Sequence, residues 1–567
     1  MAHTHHRRFC ASLAGWLAVV ILLSAIQVCH GFSHPHAQTR ATTADSLLVP
    51  IRKHMSSSCL GANTQQPQHG RRQQTLSSMI QSRISFPTPS TMSMSCRARM
   101  PILLRASSDD IDDNKGNEDK TTKIRSWTIP NGVEFGSLSN LVLQETSTPV
   151  PKAALPTSTP MAHVATGAVG LNFADIFTVL GLYTAADIDR EKSGSQNDNA
   201  LPPFVPGIEF SGMLLNEPEE DPSSSNSVSY KRKDRVFGFT KFGSYSDRVD
   251  VPASTIRKLP SHWTYEQGSA FLVNALTAWY GLVNVCTMPN MMAASGRQSK
   301  QNKEPLVVVV HSASGGVGLF AAEIAARRGA VVIGVVGSSS KIPIFMERIQ
   351  PLCKDAICFV RSPNANQFTK DLINASLQAH GISNDDSTST SKFSTPIDVA
   401  EQGYGVDVVM ECYGGPYFQP SLEIINTGGS LATYGSTTYN GQGVGDKIPF
   451  YQLVWKYLNR PRIDPGELTS RNVRVGGYNL IFLTEDPTAL SKAFDDCIDC
   501  LSDYDDDKKK SKDLLSSDEL LEYVRPPLVG TTFQFDDGGV DAMKALRSGT
   551  TVGKVVLSNA NNPLLLP

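Results

Sequence analysis

Apolar residues in this chain recur in two rhythms. Between Pro305 and Gly435 they form unbroken runs, "LVVVVH", "AVVIGVVG", "GVDVVMEC" and "GGSLATYG". Runs without alternation suit parallel strands covered on both faces, whereas a half-exposed strand would alternate. Helical spacing in "GLFAAEIAARRG", a second helical stretch from Lys341 and a short apolar run, "AICFV", fill the intervals. The pattern predicts strand–helix repetition around a parallel, doubly wound sheet. On either side the rhythm changes. "RVFGFTKFGSYSDRVDVP" before it, and "RPPLVGTTFQFD" and "GKVVL" after it, read as short strands with glycine turns. A doubly wound unit inserted into a mostly β domain built from both chain ends is therefore expected.

Polar stretches interrupt this pattern after Tyr183, before Asp234, before Pro305, before Pro396 and after Leu501. They carry too little apolar surface to be ordered elements and are placed as surface loops. The first hundred residues follow a different logic. A basic start and an apolar run from Ala11 to Val28 have the layout of a signal peptide. Ser33 to Arg105, rich in Ser, Thr, Gln and Arg with Asp45 as its only acid, has transit-peptide composition. This order resembles the two-part presequence of algae with secondary plastids, with Phe32 in the place of the aromatic that follows the cleavage point. It makes a plastid the expected destination; an endomembrane or secreted protein with a low-complexity leader is the alternative. An acidic tether, "SSDDIDDNKGNEDK", leads to the folded part near Trp127.

Composition narrows the function classes. A formal charge of −2, with 40% apolar and 19% charged residues, is globular and gives no electrostatic argument for nucleic acid as partner. Of ten cysteines, Cys10, Cys29, Cys59 and Cys96 lie in the leader and the remaining six show no framework spacing; Cys497 and Cys500 form an isolated pair in an acidic helix end, so reduced thiols are expected rather than disulfides or a zinc knuckle.

The run "VVVVHSASGGVG" carries the chemistry. Aligned on a dinucleotide-binding fingerprint it reads Ala313, Ser314, Gly315, Gly316, Val317, Gly318, with alanine in the first glycine place. Gly315 lets backbone approach a pyrophosphate, Gly318 lets helix and strand pack, and the helix start offers free N–H groups. In its strand–turn–helix context this is a Rossmann turn. The second strand then ends in "GVVGSSSK", without the acid that would hold a ribose 2′-hydroxyl. Ser339 and Lys341 suit a 2′-phosphate, which makes NADPH the expected cofactor. The serines would equally cap the following helix.

The motifs "GLNFADIFTVLGLY", "LPPFVPGIEFSG", "GSYSDRV", "LVNALTAWYGL", "SASGGVG", "GVDVVMECYGG" and "VGKVVL" occur in an order that resembles medium-chain dehydrogenases/reductases. They are most similar to the zinc-free quinone oxidoreductase group, which includes zeta-crystallin. "LATYGSTTYN", "RNVRVGGYNLIFL" and "DDGGVDAMKALRSGTTVGKVVL" resemble the vesicle amine transport protein-like branch. The resemblance covers Trp127 to Leu557 with the inserts set aside. It implies an α/β fold, with a GroES-like mostly-β catalytic domain (127–280 and 521–567) and an inserted Rossmann domain (281–520). The remaining divisions are a signal peptide (1–31), a leader (32–106) and a linker (107–126). It also implies a homodimer without a membrane span in the mature form.

Zinc members of this group carry a cysteine near the first motif, a Gly-His-Glu in the second and a four-cysteine lobe. Here Asn172, Phe173, Ala174 and Asp175 occupy the first region, Ile208 stands between Gly207 and Glu209, and no four-cysteine cluster exists. No metal is expected. The resemblance places Asn172 and Tyr183 at positions that contact substrate or nicotinamide, as neutral donors to an oxygen gaining negative charge. Each also has a structural alternative, Asn172 as a helix cap and Tyr183 as a half-buried ring. Thr277 with Asn274, and Tyr434 with Gly435 and Ser436, would border the nicotinamide. Phe177 replaces a second tyrosine of some bacterial quinone reductases. The expected reaction is hydride transfer from NADPH to a quinone or an α,β-unsaturated carbonyl. Enoyl-thioester reduction and a non-catalytic NADPH-binding, membrane-associated protein are the alternatives.

Overall fold

The computed structural model describes residues 123–130, 136–146, 159–183, 185–186, 203–219, 229–289, 305–382, 393–440, 445–484, 487–504 and 515–565. The signal peptide, the leader with Phe32, the acidic tether and most of the polar inserts lie outside the described residues.

The described chain opens with an antiparallel pair, β1 (Ile124–Thr128) and β2 (Val142–Thr146). Five antiparallel strands follow: β3 (Met161–Gly170), β4 (Glu209–Leu214), β5 (Arg235–Phe239), β6 (Arg248–Pro252) and β7 (Ile256–Lys258). Helix α1 (Phe173–Val179) leaves the end of β3, and α2 (Leu272–Trp279) carries the chain onward. The parallel unit then contains β8 (Val307–His311), β9 (Val331–Val336), β10 (Ile357–Val360), β11 (Val406–Glu411), β12 (Ile425–Thr433) and β13 (Arg474–Gly477). Between these strands run α3 (Gly316–Arg327), α4 (Ile342–Ile349) and α5 (Ala365–Ala379); α6 (Pro487–Leu501) follows β13. The last strands are β14 (Val529–Gln534) and β15 (Lys554–Ser558).

The parallel strands lie in the order β10-β9-β8-β11-β12-β13. The valine run of β8 explains its central place. Val308 and Val310 pack on one side with Phe320, Ala321 and Ile324 of α3, while Val307 and Val309 pack on the other with Phe368 and Leu372 of α5. All five β8 residues are buried, so neither face could accept the polar half of an alternating pattern. The apolar run "AICFV" forms β10 and extends the sheet beyond β9. "RNVRVGGY" supplies the sixth strand.

The other sheet runs β14-β15-β3-β4-β5-β7, with β6 also on β3. β15 sits antiparallel to β3, Val556 opposite Gly170, so the chain end completes the sheet that the first half began. This is the doubly wound unit within a two-ended β domain that the apolar rhythm implies. Among the described residues no helix is long and apolar enough to cross a membrane.

Candidate functional site

In a doubly wound sheet ligands bind beyond the carboxyl ends of the strands, where the winding reverses. Here that point lies between β8 and β11. The chain leaves β8 through Ser312, which takes the left-handed conformation with φ of 52°. The Gly315 amide closes the turn on the Ser312 carbonyl at 2.9 Å. Gly315 is the N-cap of α3, in extended backbone. A Cβ at Gly318 would overlap the Ser312 carbonyl oxygen and come within 2.8 Å of the Ala313 Cα. Glycine there lets the helix seat directly on the strand end. The chain's return reaches the same turn, since the Gly553 amide donates to the Ser314 carbonyl at 2.8 Å.

A cavity of about 640 Å³ opens at this point. Asn172, Tyr183, Thr277, Ser314 to Gly318, Lys341, Tyr434 and Gly435 all line it, so residues from distant parts of the sequence meet around one space. Ser339 does not line it and is exposed. Lys341 lines it with a side chain already engaged. Its ammonium donates to the carbonyls of Gly549 and Thr551 at 2.7 and 2.8 Å, and the residue is 7% exposed. Two of its three N–H donors thus form a clasp between the end of β9 and the chain's return. Of the three serines before it, the Ser338 and Ser340 hydroxyls lie 2.9 Å apart.

Asn172 is the N-cap of α1, and its amide N–H donates to the Asp175 carboxylate at 2.8 Å. Its side-chain oxygen accepts from the Lys554 ammonium at 2.7 Å. The cap and the cavity-wall position therefore hold together. Lys554 also reaches Glu209 Oε2 at 2.7 Å and Asn274 Oδ1 at 3.4 Å. Glu209 is fully buried, and its second oxygen takes the Val273 amide at 2.9 Å. A buried ion pair of this kind holds only when further hydrogen bonds satisfy it, and here they come from both amides and the backbone. Asp175 is buried behind it with the Tyr245 hydroxyl at 3.1 Å. Burial pushes its carboxyl up to about 7, against the lowering effect of the Asn172 amide, Lys554 and Tyr245.

The Tyr183 hydroxyl lies 3.1 Å from Asn479 Oδ1, while Asn479 Nδ2 lies 2.9 Å from the hydroxyl. Burial raises the phenol to about 12, so it is protonated at neutral pH. Thr277 Oγ1 donates to the Val273 carbonyl, and the Thr277 carbonyl receives the Tyr478 hydroxyl, each at 2.6 Å. Lys554, Glu209, Asn479 and Arg361 are cavity or network residues that sequence reasoning had not singled out for the site. The signals were present in "GKVVL", "GIEF" and "GGYNL", but only as marks of family likeness.

A family model described as zinc-binding dehydrogenase matches residues 379–557. The mouse synaptic vesicle membrane protein VAT-1 homolog-like is 21% identical over 349 residues, covering 62% of this chain and 65% of that protein. A quinone oxidoreductase of Pongo abelii is 29% identical over 157 residues, 28% of this chain and 42% of that one. Over part of its length the chain is thus similar to zinc-binding dehydrogenases and to quinone oxidoreductases. It spans just under two thirds of the length of the VAT-1 homologues it matches. The crystal structure of the human VAT-1 homolog-like protein covers 77% of this chain and 98% of its own, with TM-score 0.47 and 18% identity. For the quinone oxidoreductase of Thermus thermophilus, solved alone and with NADPH, the values are 77%, 100%, 0.46 and 20%. Among the described residues no three His, Cys, Asp or Glu side chains are grouped as a metal would need.

Proposed function

We propose that this protein is a medium-chain dehydrogenase/reductase, an NADPH-dependent oxidoreductase that reduces quinones or α,β-unsaturated carbonyls without zinc. One observation carries the reading: the glycine turn at the switch point and the Asn172–Tyr183 pair open into the same cavity. The residues fit a dinucleotide. A Cβ at Gly315 would meet only the Ser312 carbonyl, at 3.2 Å, which leaves its other side open to a phosphate. The start of α3 adds N–H groups and positive potential. When bound, the nicotinamide supplies a hydride. Thr277, Tyr434 and Gly435 would border its ring. The Tyr183 phenol, held by Asn479, would donate to the substrate oxygen as negative charge grows there. Lys554 fixes the Asn172 amide for the same task by taking its oxygen; the amide nitrogen donates one hydrogen to the Gly170 carbonyl at 3.3 Å, which leaves its second as donor. Isoleucine at position 208 cannot ligate zinc, and Asn172 stands where zinc relatives have a nearby cysteine.

The test is NADPH oxidation by the purified protein with a quinone, an alkenal and an enoyl thioester. Turnover with either of the first two supports the reading. Preference for the thioester would move the substrate class. NADPH binding without turnover on any of the three would support a non-catalytic nucleotide-binding protein. The leader composition supports delivery to a plastid as a further part of this proposal.

A further inference from the structure

Arg361 follows β10 directly, and its amide donates to the Val336 carbonyl at 2.8 Å. This sets it beside Gly337 at the end of β9, and both residues line the cavity. Its guanidinium carbon lies 3.7 Å from the centre of the Tyr413 ring and 5.3 Å from that of Tyr417. One terminal nitrogen is buried and has no hydrogen-bond partner. The residue as a whole is only partly buried and lines the cavity, so the rest of the guanidinium can offer donors to an acceptor that enters there. Glu411 lies near enough to feel the charge. Its Oε1 is taken by the amides of Tyr413 and Gly414 at 2.9 and 2.7 Å, Oε2 is without a partner, and burial pushes its carboxyl up to about 7.

The carboxyl end of the second strand is where a ribose 2′ substituent falls. Gly337 to Lys341 contains no carboxylate, and two of the three N–H donors of the Lys341 ammonium are taken by the carbonyls of Gly549 and Thr551. We propose that Arg361, and not Lys341, is the residue that selects a 2′-phosphorylated nucleotide over its 2′-hydroxyl counterpart. A guanidinium stacked on tyrosine is oriented in advance and offers paired donors that match phosphate geometry. Lys341 then acts as a positioning residue that ties the end of β9 to the chain's return. The inference rests on the dinucleotide reading of the cavity.

Equilibrium titrations of the full chain with NADPH, NADH, adenosine 2′,5′-bisphosphate and adenosine 5′-monophosphate test it. Arg361→Ala should weaken NADPH and the bisphosphate by about 10- to 100-fold, the range for hydrogen bonds to charged groups, with NADH and the monophosphate unchanged. Arg361→Gln, which keeps a planar polar group on the tyrosine, should lose the same discrimination with less disturbance of packing. Parallel weakening of NADPH and NADH, or no change in either, would overturn the assignment. So would selective loss of NADPH in Lys341→Met but not in Arg361→Ala. A wild-type chain that binds neither dinucleotide would instead remove the cofactor reading on which the assignment rests.

Discussion

Replacing Lys554 with methionine perturbs the polar centre of the cavity at one atom. The ammonium lies 2.7 Å from both Glu209 Oε2 and Asn172 Oδ1, and the Lys554 and Glu209 side chains are only 4% and 0% exposed. Methionine preserves most of the stem volume and removes the charge. Glu209 would then be left with the Val273 amide, a single neutral donor for a carboxylate with no access to water. Breaking a buried pair from one side costs about 3–5 kcal/mol, because the remaining charge is uncompensated. Glu209→Gln should cost less, since a neutral amide can still accept from Val273 and the ammonium retains the oxygens of Asn172 and Asn274. The double variant removes both charges and should be more stable than Lys554→Met alone, a non-additivity expected of residues in one network. Urea unfolding followed by both tryptophan fluorescence and circular dichroism would measure this, with coincident transitions as the check on a simple free-energy reading. A loss below about 1 kcal/mol for Lys554→Met, or costs that add in the double variant, would show that the pair is solvated and refute the reasoning.

Four further outcomes are expected. Tyr183→Phe keeps the ring against Phe242 and removes the donor, so kcat with a quinone or alkenal should fall by about 10²-fold while NADPH affinity holds; an unchanged kcat would make the phenol structural and leave Asn172 as the donor. Gly315→Val places a branched side chain where a phosphate would approach, and should abolish nucleotide binding in a titration while the melting curve stays cooperative. Burial raises Asp175 to about 7, so the folded state holds its proton more tightly than the unfolded chain does; that contribution to stability is complete below the ordinary aspartate range, is lost as pH rises through about 7, and should be missing from the pH profile of Asp175→Asn. A fluorescent protein fused behind Met1 to Arg105 should reach the plastid of a diatom-like host, and Phe32→Ala should hold it outside; secretion of the fusion with Phe32 intact would count against that destination.

The doubly wound sheet was legible because its strands are buried on both faces. The unbroken valines of β8 leave no other reading, and the turn that follows announces itself by three glycines within four residues. β10 and β13 were fainter, since "ICFV" and "RVGG" are short and only partly buried. The cavity wall was legible in part for a different reason. Asn172, Thr277 and Tyr434 could be placed through family order, whereas the Lys554 network joins residues 172, 209, 274 and 554, a convergence that only the folded β sheet creates. Local patterning carries no signal for such pairs. Lys341 shows the same limit from the other side. Its place after β9 was readable, but its commitment to Gly549 and Thr551 depends on a return segment about two hundred residues away.

The most direct test of the proposed activity is the fate of the transferred hydrogen. NADPH carrying deuterium at nicotinamide C4, on one face and then the other, would be mixed with the protein and an alkenal, and the saturated product analysed by mass spectrometry. Deuterium is expected on the carbon β to the carbonyl from one face only, with NADP⁺ formed in equal amount. Product without deuterium from either face, or no product while the protein binds NADPH, would contradict it.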